Sequence, residues 1–117
     1  MKRIFFIKSL IEKLRSQTPP KVSYRKARRH GIYKAYSGGR FHPKDEGITV
    51  EFYKSEEVNP RTLTDNDAQL AGILTAKELL KLFKHWYGDV PAKIYRNWLR
   101  VMENKQSSES GNVSYVR

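Results

Sequence analysis

The densest chemistry in this sequence is cationic. Lys21-Val-Ser-Tyr-Arg-Lys-Ala-Arg-Arg-His30, with Lys34, Arg40 and Lys44, places eight positive charges and no acid in residues 21–44. Like charges at that density repel one another and weaken a compact chain, so a polyanion that neutralises them is the natural expectation. Each phosphate neutralised releases counterions, which is the main source of sequence-independent affinity for nucleic acid. Tyr24, Tyr33, Tyr36 and Phe41 are interleaved with the charge. Single strands are held in this way, by aromatic faces under the bases beside a cationic groove. Alternating aromatics also fill strand cores, so two of the four are expected inside. Tyr36 and Phe41, which flank Gly38-Gly39, are the expected exposed pair. The candidate nucleic-acid-binding residues are Lys21, Tyr24, Arg25, Lys26, Arg28, Arg29, Lys34, Tyr36, Arg40 and Phe41. The competing reading is a solvated basic face without a ligand.

Other residue types point less far. Ser37-Gly-Gly-Arg40 has the composition to offer backbone N–H groups to a phosphate, though Gly-Gly is first of all a turn. His30 and His42 have the chemistry of an acid–base pair, but their spacing gives no reason for them to converge. Asp65 and Asp67 follow Thr64, a pattern that caps a helix and sets acids at its positive end, which suits them better than magnesium binding. Trp86 and Trp98 read as core. The chain has no cysteine, which excludes disulfides, thiol catalysis and Cys-based metal sites. Three scattered histidines without a His-x-x-x-His pair argue against a transition metal. No catalytic residue, metal or cofactor is assigned.

The net charge of +11 is segregated: residues 1–44 hold 13 basic residues and one acid, and residues 45–117 hold 10 basic and 11 acidic. Segregation of this kind is the footprint of a polyanionic partner. A length of 117 residues suits one domain. No apolar run approaches the ~20 residues that cross a bilayer, and the opening Met1-Lys-Arg-Ile-Phe-Phe-Ile-Lys8 returns to charge too soon for a secretory leader. A cytoplasmic protein without membrane association is expected.

The elements that must position these residues follow from periodicity. Residues 3–7 read as a short buried strand. A helix from Ser9 carries Leu10, Ile11 and Leu14 inward and stops before Pro19-Pro20. Lys21–Arg29 reads as strand or extended loop, Ile32–Tyr36 as strand, and Ser37–Gly39 and Pro43–Gly47 as turns. Ile48, Val50 and Phe52 alternate with polar residues in the clearest strand. Thr64 with Asp67 opens a short helix ending at Gly72. Thr75 with Glu78 forms a capping box for a longer helix from Ala76 to Tyr87, with Leu79, Leu82, Phe83 and Trp86 on one face. Ile94–Met102 is the last strand, and residues 104–117 read as a disordered tail. The sum is one α+β domain over residues 1–103.

Arg61-Thr-Leu-Thr-Asp-Asn-Asp-Ala-Gln-Leu-Ala-Gly72, Thr75-Ala-Lys-Glu-Leu-Leu, His85-Trp-Tyr-Gly-Asp and Tyr95-Arg-Asn-Trp-Leu-Arg-Val101 together resemble the back half of ASCH domains, members of the PUA-like superfamily. The front half matches in outline only. The resemblance implies a small PUA-like β-barrel with packed helices, and RNA or nucleotide binding near the basic strand. Some ASCH relatives are enzymes, including an N4-acetylcytidine amidohydrolase and proposed ribonucleases. The family's Lys, Glu or Thr, and Arg positions are not restored here. With Arg25 as the family Arg, Pro20 and Ser23 fill the others; with Lys21 as the family Lys, Tyr24 and Lys26 do. Ala71 stands where the amidohydrolase has its Glu. The reading is therefore an RNA-binding module, with DNA not excluded. The alternatives are an ASCH-type ribonuclease or amidohydrolase, and a subunit of a nucleoprotein assembly.

Overall fold

Strand β1 (Lys2–Phe5) runs parallel to β3 (Gly31–Ser37), with Lys2 opposite Tyr33 and Phe5 opposite Tyr36. Parallel neighbours need a long crossover, and helix α1 (Lys8–Leu14) lies in it. The same connection carries β2 (Val22–Arg25), which pairs antiparallel with β5 (Ile94–Asn104). With β4 (Lys44–Val58) the strands form one five-stranded sheet in the order β1-β3-β4-β5-β2. Two further helices follow β4: α2 (Asp65–Leu70) and α3 (Ala76–Tyr87). The fold class is α+β, in a computed structural model that describes residues 2–104. Asn104 ends β5; the rest of the expected tail lies outside the described residues.

The chain divides into two compact units. Of the described residues, the first comprises 2–19, 32–51 and 101–104, and the second 20–31 and 52–100. In the first, α1 buries Leu10, Ile11 and Leu14, as its spacing predicts. Ile48 and Val50 of β4 are likewise buried. The second has a core of Val22, Tyr24, Ala68, Ala71, Ile73, Leu79, Phe83 and Ile94, against which Trp86 and Trp98 pack.

Two helix starts are capped by threonine, the first by a full box and the second by one half of the box the sequence predicts. Thr64 and Asp67 form a full reciprocal box, with Thr64 N–H donating to Asp67 at 2.8 Å and Asp67 N–H to Thr64 Oγ1 at 3.2 Å. Thr75 Oγ1 accepts the Glu78 N–H at 3.2 Å, and α3 runs from Ala76 to Tyr87, the span the sequence predicts.

One expected turn is corrected. Pro43–Gly47 does not separate two elements, because β4 begins at Lys44 and runs for 15 residues. Gly47 passes through φ +75° inside the strand, where it makes a local irregularity instead of an end. Glu46 beside it is buried, and Gly47 N–H donates to Asp45 at 2.9 Å. The true connection between β3 and β4 is residues 38–43. There Gly38 has φ +83°, and a Cβ on it would collide with the His42 carbonyl.

Candidate nucleic-acid interface

Five of the eight cations of residues 21–44 belong to the second unit: Lys21, Arg25, Lys26, Arg28 and Arg29. Strand β2 lies at the sheet edge, with Val22 and Tyr24 turned into the core. Tyr24, which the sequence groups with the stacking candidates, is 3% exposed. Its hydroxyl donates to the Asp67 carbonyl at 2.9 Å and accepts from Arg96 Nε at 3.1 Å. Burial raises its pKa, partly opposed by Arg96. It is a core residue with no face left for a base.

Residues 26–30 form an irregular segment fastened by one buried amide. Asn97, fully buried on β5, accepts the Arg29 N–H at 3.0 Å and the Ser55 hydroxyl at 2.7 Å, and donates to the Ala27 carbonyl at 3.1 Å. Arg28 also donates to the Ser55 carbonyl at 3.1 Å. The backbone is thus held while Lys21, Lys26 and Arg28 stay exposed. Arg25 is half-buried, with Nε donating to Ser23 Oγ at 2.8 Å. Burial lowers its pKa to about 10, with Arg29 adding to the effect and Tyr87 opposing it, so it remains a cation at neutral pH.

The exposed cations of this segment lie on rings. Lys26 Nζ sits 5.3 Å from the centroid of Tyr87, and the Arg28 guanidinium 4.7 Å from that of Tyr95. Among the described residues, Lys21, Lys26 and Arg28 form no ion pair with a carboxylate. Two of the unit's acids are committed elsewhere. Arg96 binds Asp67 at 3.0 Å and Glu56 at 3.4 Å. The Trp98 indole N–H donates to Glu56 at 2.6 Å. That indole bond is the main cause lowering the Glu56 pKa, against the effect of burial and together with Lys54 and Arg96.

The first unit holds the other candidates. Lys34 pairs with Asp45 at 3.5 Å, both side chains exposed. Tyr36 is half-buried, with the Arg3 guanidinium 5.2 Å from its ring centroid. Arg40 lies over Phe41 at 6.0 Å on the exposed connection, where Phe41 is 84% exposed. Tyr33 is buried, so two of the four interleaved aromatics are core, Tyr24 and Tyr33. In the same unit Arg15 pairs with Glu46, which also accepts the Ser37 hydroxyl. Burial alone would raise the Glu46 pKa, but the Ser37 and Arg15 hydrogen bonds, with the charges of Lys44 and Arg15, lower it.

His30 and His42 are both exposed, one in each unit. Among the described residues, no group of three or more His, Asp or Glu side chains is placed to hold a metal ion, and no helix is long and apolar enough to cross a membrane. Asn97, Ser55, Tyr87 and Tyr95 were absent from the sequence candidates. Alternation along β5 places Tyr95 and Asn97 on one face, but nothing local couples them to a segment about 70 positions earlier. Comparison with known families, curated proteins and solved structures gives no match to this chain.

Proposed function

We propose that the chain is an RNA-binding module of PUA-like type that holds phosphate backbone with residues 21–30. The observation that carries the reading is the disposition of Lys21, Lys26 and Arg28. They are exposed cations without carboxylate partners among the described residues, Lys26 and Arg28 on a backbone pinned by buried Asn97 and Lys21 on one bonded to Leu70 and Leu99. An exposed cation–ring contact is worth about 0.5–1 kcal/mol, so a phosphate competes for these charges without opening an ion pair. The preference for RNA over DNA rests on the resemblance to ASCH domains, because charge does not distinguish the two. Binding without turnover is favoured over hydrolysis because Ala71 supplies no general base where the amidohydrolase has its Glu.

A single-turnover incubation with labelled single-stranded RNA tests the proposal. Intact RNA retained by the wild type, and weakly retained by K21Q/K26Q/R28Q, is the expected result. The control is K77Q/K81Q/K84Q, which removes the same charge from exposed positions of α3 and should bind nearly as wild type. Protein-dependent cleavage or base modification would replace the binding module with an enzyme.

A further inference from the structure

Two tyrosines that lie under the cations of residues 26–28 are placed to read something other than phosphate. Tyr87 closes α3 and is half-buried. Its ring is stacked against Phe83 at 6.4 Å and 28°, and meets Trp86 edge-on at 6.3 Å. Tyr95 is half-buried on β5, opposite Arg25 in the register. The groups over these rings, Lys26 and Arg28, are exposed. A flexible ammonium in water is weakly held on a ring and moves readily to a phosphate, whereas a base stacked on the same ring gains more. Arg28 need not leave Tyr95, because the outer face of a planar guanidinium is itself a stacking surface.

We propose that Tyr87 and the Arg28–Tyr95 stack are platforms for two unpaired bases, which makes the preferred ligand a single strand. The proposal rests on the nucleic-acid reading of residues 21–30 and deepens it. A duplex keeps its base faces inside its own stack and presents only phosphate and sugar to such a surface.

The test compares a labelled single-stranded RNA with a duplex of the same sequence, using wild type, Y87L, Y95L, Y87F and Y95F. Each Leu variant is expected to bind the single strand about tenfold more weakly, the size of one lost stack, with an unchanged salt slope. The Phe variants should bind as wild type, and duplex binding should not respond to Leu. Because Tyr87 touches core rings, photo-cross-linking of wild type to 5-iodouridine RNA provides a readout that needs no variant. Adducts at Tyr87, Arg28 or Tyr95 are expected. Equal single-strand affinity of well-folded Leu variants, or adducts confined to residues other than Tyr87, Arg28 and Tyr95, overturns the platforms while leaving backbone binding intact. A wild type that binds neither RNA overturns both.

Discussion

In the first unit Arg15 is bound to buried Glu46 and Lys34 to Asp45, whereas in the second Lys21, Lys26 and Arg28 meet no carboxylate among the described residues, and two of them lie on tyrosine rings. Both units draw on the same basic stretch of sequence. The difference is one of degree among the cations of residues 21–44: Lys34 but not Arg40 or Lys44 is paired in the first unit, and none of Lys21, Lys26 and Arg28 in the second, among the described residues. In the first, Asp45 and Glu46 follow the basic residues directly in β4 and neutralise two of the unit's cations. In the second, Glu56 and Asp67 are drawn toward Arg96, and Lys21, Lys26 and Arg28 form no ion pair among the described residues. A surplus of charge locates a partner only once the internal pairs have been subtracted.

The largest effect that would sharpen this contrast is in the first unit. Glu46→Gln leaves Arg15, 21% exposed, without its countercharge and should cost about 3 kcal/mol, measured by denaturant unfolding. RNA affinity should not change. The depressed Glu46 pKa gives the sign of the pH dependence. Its stabilisation is complete above the usual carboxylate pKa of about 4.3 and is lost as pH falls through the lower folded value. The variant should therefore show a flatter acid limb than wild type. An equal acid limb would remove Glu46 from the account.

A smaller loss of stability is expected in the second unit, accompanied by loss of function. Asn97→Ala abandons the Arg29 N–H and the Ala27 carbonyl, and should cost about 2 kcal/mol. Hydrogen exchange at Arg29 should speed up and RNA affinity should fall. If affinity holds while exchange accelerates, the cations act without a fixed backbone. The smallest effect belongs to Lys34→Gln, since an exposed pair such as Lys34–Asp45 contributes less than about 1 kcal/mol. A larger loss in thermal denaturation would mean that the first unit's charges are more tightly built in than their exposure suggests.

Local signals in the sequence were read well where one element sufficed. The Thr64 and Thr75 caps, the apolar face of α3 and the alternation of Ile48, Val50 and Phe52 each follow from a few neighbouring side chains. Pro43–Gly47 reads as a turn because Pro43 and Gly47 carry turn chemistry, which pairing along β4 overrides. In the candidate site, the exposed cations were legible from composition. Tyr24 is left inside once Tyr36 and Phe41 are taken as the exposed pair, but its hydrogen bonds to Asp67 and Arg96, distant in sequence, are not legible there. Nor could composition show that Asn97 fastens the basic segment.

The salt dependence of RNA binding tests the contrast most directly. K21Q/K26Q/R28Q in the second unit and K34Q/R40Q/K44Q in the first remove equal formal charge. For a single strand, each lost phosphate contact lowers the log–log slope by about 0.7. The second-unit triple is predicted to lower the slope by about 2, and the first-unit triple by less than about 0.7. Equal reductions would mean that RNA is attracted to the chain's charge at large, and that residues 21–30 are not the grip.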